Sequence, residues 1–182
     1  MFFAGRYLLT SNRKQMKKVI LVFSFLIATI SNGQELDITP QNSWFKAGIN
    51  AGIPIGDAAD FSSFTIGLDL RGQYLVNPHF GIGIASGYTH FLGKDGADDF
   101  GIIPVGGFAR YYFKQEGLFI GSDLGYAFLT NVDQNSGGFY VNPQIGYHNK
   151  KWNIYGYYQH TFAENSTDIQ TIGIGATYNI MF

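Results

Sequence analysis

Five charged residues offer the first chemistry in this sequence. Lys46, Asp69, Arg71, Arg110 and Asp123 are scattered along the chain, yet each sits in a stretch of alternating apolar residues and falls on the opposite phase. Three cations and two carboxylates turned into one enclosed space would form an ion-pair network, extended by Gln73, Asn142, Gln144, Asn153 and Gln159. Such a network either gates a narrow pore by exchanging partners or fills a polar core, where unpaired buried charges are costly. The filled core is the favoured reading. A second group is Tyr158-Gln159-His160-Thr161, whose imidazole could act as a base on a nucleophile within hydrogen-bond reach. A third group is acidic. Asp57, Asp60, Asp95, Asp98, Asp99, Asp133, Glu164 and Asp168 lie in connections that hold one base, Lys94. Gly93 to Asp99 (GKDGADD) lacks the spaced ligands and closing Glu of a calcium loop. Solvated loops are therefore favoured over a bound divalent cation. With no cysteine, disulfides, thiolate metal sites, a Cys nucleophile and a lipid-acceptor Cys are excluded. No metal or cofactor site is expected.

The elements that would position these groups have a period of two. Eight segments alternate: 44–55, 64–74, 80–91, 102–113, 118–129, 139–147, 152–162 and 169–182. Each is long enough to cross a bilayer as a tilted strand of about 9 to 11 residues. Aliphatic residues occupy one phase, and all five strand charges occupy the other. Gly48, Gly52, Gly67, Gly81, Gly83, Gly87, Gly106, Gly121, Gly125, Gly146, Gly173 and Gly175 share the charged phase, while Gly72, Gly107 and Gly156 fall on the apolar one. A charge facing lipid costs roughly 2 to 4 kcal/mol at mid-membrane. The apolar phase is therefore expected to face outward and the charges inward, the reverse of a soluble barrel. Ser86, His90, Ser122, His160 and Gln170 are the polar exceptions on the outward phase. Short turns (Asn77-Pro78, Lys114 to Gly117, Asn149 to Lys151) alternate with longer connections, and aromatic residues cluster at strand ends. Both patterns suit a membrane barrel.

The N-terminus reads as a targeting segment. Lys17 and Lys18 precede the apolar run Val19 to Ile30, with Ser31 and Gly33 before Gln34. That run is shorter than the roughly 20 residues of a membrane helix, so residues 1–33 are expected to be a cleaved signal peptide, with Met16 a possible true start. Residues 34–43 would be a short periplasmic segment and 44–182 the barrel. Five of the 12 basic residues precede Gln34 and none of the 13 acidic ones does, so the mature chain would carry a net charge of −6. That disfavours nucleic acid as a partner.

Ile102 to Phe113 (IIPVGGFARYYF) and the closing ATYNIMF resemble the small outer-membrane barrels, especially the OmpA/OmpX-like "outer membrane protein beta-barrel domain" group. The resemblance covers about 44–182. It implies an all-β, eight-stranded, antiparallel up-and-down transmembrane barrel in the outer membrane of a Gram-negative bacterium, exported through the periplasm. Tyr178, Ile180 and Phe182 resemble the C-terminal signal read by the outer-membrane assembly machinery, although Thr177 stands where one common form has Gly. The His160 group is similar in part to the His-x-Ser-Asn run of outer-membrane lipid A deacylases, but the Ser position is Phe162 and Thr161 lies on the other face.

The expected function is a non-enzymatic structural or surface-interaction barrel with a largely filled lumen. Its partners would be outer-membrane lipid and lipopolysaccharide, with a monomer favoured. The alternative is a narrow channel or passage of a small apolar ligand, lined by Phe108, Tyr112, Tyr140, Tyr155 and Tyr157. Pro104 and Pro143 would then be weak points in the wall, since each removes a ladder donor. A lipid A-modifying enzyme is a remote third reading.

Overall fold

The computed structural model describes residues 43–132, 136–163 and 168–181. The expected signal peptide, Asp133, Glu164 and Phe182 lie outside them. Eight strands run β1 (Ser43–Ile55), β2 (Ser62–Asn77), β3 (Phe80–Gly93), β4 (Phe100–Tyr112), β5 (Gly117–Thr130), β6 (Gly137–His148), β7 (Trp152–Ala163) and β8 (Asp168–Met181). Each pairs antiparallel with the next, and β8 pairs antiparallel with β1, which closes the barrel. No helix among the described residues is long and apolar enough to cross a membrane.

The phase read from the sequence becomes an inside-out burial pattern. Ile49, Ile84, Ile145 and Ile174 are among the most exposed large apolar side chains, whereas Lys46, Asp69, Arg71, Arg110 and Asp123 are all buried in the lumen. A water-facing wall would not leave so much aliphatic surface bare; a lipid-facing wall has to.

Several strands run past their apolar stripes. β2 spans Ser62–Asn77, beyond the expected 64–74, and β3 extends to Gly93. Ladder hydrogen bonds do not require alternation once the strand has left the hydrocarbon. The expected loop Gly56 to Ser63 contains one helical turn, α1 (Ala58–Phe61). It is closed by Ala59 N–H to Gly56 O at 3.0 Å, and Ala58 is buried. One turn is too short to show a helical period, which is why the sequence reads as loop.

The lumen is packed in zones. Ala58, Phe91, Phe100, Ile102, Ala127, Tyr140 and Ile169 form an apolar cluster, joined by Phe61 of α1. The Phe91 and Phe100 rings stack at 4.4 Å. Leu75, Tyr112, Phe119, Tyr155 and Tyr157 form a second cluster. Tyr155 and Tyr157 stand directly opposite Gly175 and Gly173 on β8. A Cβ on either glycine would strike the facing tyrosine ring, so these two positions have to be bare for the rings to lie flat across the wall.

Both prolines named from the sequence coincide with gaps in the ladder. The β3–β4 register lacks pairs between Ser86↔Val105 and Thr89↔Ile102, beside Pro104. The β6–β7 register lacks them between Val141↔His160 and Gln144↔Tyr157, beside Pro143. A strand residue without an N–H leaves its neighbour's carbonyl unanswered.

The outward phase is directly testable. Leu124→Arg, in the middle of β5 on the lipid face, should cost about 2 to 4 kcal/mol in urea unfolding from lipid vesicles. A change within about 0.5 kcal/mol, as at an ordinary wet surface, would contradict the orientation.

Candidate functional site

The lumen gathers four of the five charges into one connected cluster. Asp69 and Arg71 lie two apart on β2 and so point the same way. Arg71 Nη2 donates to Asp69 Oδ2 at 3.1 Å, and its Nη1 reaches across to Asp123 Oδ1 on β5 at 2.5 Å. Asp123 Oδ2 also accepts from Asn142 Nδ2 at 3.1 Å and Gln144 Nε2 at 3.0 Å. Gln144 Oε1 accepts from Arg110 Nη2 at 2.7 Å, which ties the second guanidinium in through a neutral amide. Tyr155 Oη donates to Asp69. Lys46 belongs to a neighbouring set: it donates to Tyr112 Oη at 3.1 Å and Asn153 Oδ1 at 3.0 Å, Tyr112 Oη donates to Gln73 Oε1 at 2.6 Å, and Asn153 Nδ2 donates to Asn179 Oδ1 at 2.7 Å.

The two arginines are held differently. Arg71 has both carboxylates. Arg110 Nε and Nη1 find no hydrogen-bond acceptor among the described residues, and its guanidinium lies over the Phe119 ring at 4.6 Å. Attraction by the ring face partly replaces the missing acceptors. A cavity of about 30 Å³ is lined by Asp69, Arg71, Asp123, Asn142 and Tyr157 among others. That is room for about two water molecules.

The outer rim holds an arrangement that sequence reasoning missed. His90 and His160, two of the polar exceptions on the outward phase, each sit between a tyrosine and an aspartate. His90 Nε2 is 3.0 Å from Asp99 Oδ2, and His90 Nδ1 is 3.2 Å from Tyr88 Oη. His160 repeats both distances with Asp168 and Tyr158. The geometry is the same because the register is the same: each Asp stands two residues before the cross-strand partner of its His, Gly101 in one case and Gln170 in the other. The loop acids Asp99 and Asp168 were expected to be merely solvated. The only sequence signal was the recurring Tyr-x-His followed eight or nine residues later by Asp. Asp99 also accepts from the Gly93 N–H at 2.7 Å.

Other named positions stay apart. Phe162 stacks on His160 with ring centroids 4.0 Å apart, and Thr161 is buried on the inner face, so His160 has no hydroxyl nucleophile from either residue. Among the described residues no group of three or more His, Asp or Glu gathers as metal ligands. Tyr178 and Ile180 face outward on β8, opposite Trp152 and Phe45.

No family model matches the chain, and no curated protein matches it in sequence. Solved structures do. Ail, the attachment invasion locus protein of Yersinia pestis, superposes with a TM-score of 0.56 at 13% identity, covering 77% of this chain and 99% of that one. Ail in complex with the heparin analogue sucrose octasulfate gives 0.54 at 13%, covering 76% and 98%. Its backbone structure in a phospholipid bilayer nanodisc gives 0.52 at 15%, covering 76% and 99%. At such identity the likeness shows the fold, which is that of the small eight-stranded outer-membrane barrels.

The lumen predicts an asymmetry between its arginines. Arg71→Met leaves two buried carboxylates uncompensated and should cost about 3 to 5 kcal/mol in urea unfolding. Arg110→Met removes a cation with no carboxylate partner and should be near neutral. Equal losses would contradict this account. At the rim, the Gly93 N–H and then the His90 imidazole hold the Asp99 carboxyl below the usual range. A depressed folded value means the contact is fully present above about pH 3.9, the ordinary Asp value, and is lost only as pH falls through the lower one. The Gly93 amide proton in a nanodisc NMR titration should therefore move only below about pH 3.9.

Proposed function

We propose that this chain is a non-enzymatic integral protein of a Gram-negative outer membrane, with a closed lumen and a role exercised at its outer surface. The observation that carries the reading is the pairing of an aliphatic outer wall with an interior that holds the Asp69–Arg71–Asp123 cluster and two apolar clusters. The fold shared with Ail supports the compartment. The charges act as a structural plug, and Tyr178, Ile180 and Phe182 act as the assembly signal.

The rim narrows the kind of partner. Ail has been seen with a heparin analogue, a dense polyanion. Here Asp57, Asp60, Asp95, Asp98 and Asp99 are exposed around one base, Lys94, so a polyanion would be repelled and a cationic or neutral partner suits better.

A second reading, lateral passage of a small apolar ligand, is favoured by the ladder gaps beside Pro104 and Pro143. Against it stands the inner cavity, which is small and lined in part by Asp69, Arg71 and Asp123. The remote enzymatic reading lacks its nucleophile, since Phe162 occupies the position.

Outer-membrane fractionation, gel mobility with and without boiling, and planar-bilayer recording test the proposal together. The protein should fractionate with the outer membrane, resist SDS until boiled and give no channel events. Stepwise conductance would replace the plug with a gate; a soluble periplasmic protein would overturn the whole reading.

A further inference from the structure

The outer wall carries two features that are inverses of each other. On β3, Ile84 is 74% exposed, and its cross-strand neighbours on both sides are glycines, Gly72 and Gly107. It stands as an isolated peg. A side chain built at Gly107 would meet nothing nearer than the Gly83 carbonyl oxygen at 3.7 Å. On β7 the order is reversed: Gly156 lies between Ile145 and Ile174, exposed by 61% and 70%. With Pro143, Tyr158 and Ile172 these residues line a shallow, open apolar depression on the outer wall. Nothing but the Gly173 and Ile145 carbonyl oxygens, at 3.8 and 4.0 Å, would approach a Cβ at its floor.

Their placement is also matched. β3 and β7 are four strands apart in a ring of eight, so peg and socket lie on opposite sides of the barrel. Both strands start at the short-turn end. Ile84 is four residues beyond Phe80, and Gly156 is four beyond Trp152. At a common rise per residue the two features therefore sit at the same depth in the bilayer.

We propose that copies of this chain associate head to tail in the plane of the membrane, the Ile84 peg of one seated in the Gly156 socket of the next. The inference rests on the membrane reading above and replaces the lone barrel that the sequence favours. In lipid, apolar burial gives little net drive, and association depends on close packing where small residues admit a neighbour. Strands on opposite walls of a tilted barrel lean opposite ways, so two such walls cross at about 70 to 90°, twice the strand tilt. A crossing contact is confined to a small patch, where one peg and one socket can decide the fit. Because the two surfaces differ and lie on opposite sides, the contact is heterologous and extends as an open row.

The absence of cysteine makes the test clean. Ile84→Cys with Gly156→Cys in one chain, oxidised in native outer membranes, should give a ladder of disulfide-linked dimers and higher species on a non-reducing gel. Each single variant should remain monomeric, as should Ile84→Cys with Ile120→Cys, which places the second thiol on the outward face of β5. Heat-modifiable mobility verifies the barrel in every variant. Should the Gly156 variant not assemble, Ile82→Cys with Ile174→Cys flanks the same contact. No ladder from a folded, membrane-located protein overturns this inference alone; so does an equal ladder from the Ile120 control, or a strong dimer from Ile84→Cys by itself. A soluble protein overturns the membrane reading and this one with it.

Discussion

Hydrocarbon offers no hydrogen-bond partner, so every backbone N–H and C=O that crosses it has to be answered within the wall. The pairing of β8 with β1 meets that demand at the last open edge. Closure leaves each side chain two directions, lipid or lumen, and period-two alternation assigns them. Aliphatic residues take the lipid side. What cannot go there has to be accommodated in an interior just wide enough for side chains.

The interior contents follow from that confinement. Three cations and two carboxylates share the space, and the molecule satisfies them by sharing acceptors: Asp123 alone answers Arg71, Asn142 and Gln144. Arg110, left without a carboxylate, lies on Phe119. Tyrosine rings lie along the inner wall where β8 offers glycine. The prolines show the cost of departing from the rule, since the ladder is broken at both Pro104 and Pro143.

The strand number, the phase and the inward charges were legible in the sequence because alternation is a local property with a strong physical cause. The strand ends were not, since Ser62 and Gly93 pair outside the apolar belt where no pattern marks them. One turn of helix at Ala58–Phe61 is below the length at which periodicity registers. Which charges would touch was beyond reach as well. Asp69 and Arg71 could be placed on one face from spacing, but the bridge to Asp123 depends on how three intervening pairings stagger the strands. The Tyr–His–Asp arrangements have the same origin: His90 and His160 looked like misfits until the register brought Asp99 and Asp168 beside them.

Closure also has a consequence in time. Ser43–Ile55 and Asp168–Met181 are the first and last strands of the described chain, and the seam that joins them pairs Trp44 with Met181. The contact that removes the final edge is thus the one of greatest sequence separation, and loop closure makes such contacts late and slow to form. Until it forms, two unpaired edges exist that could add strands from other chains. The interval before closure is therefore a kinetic hazard built into the topology.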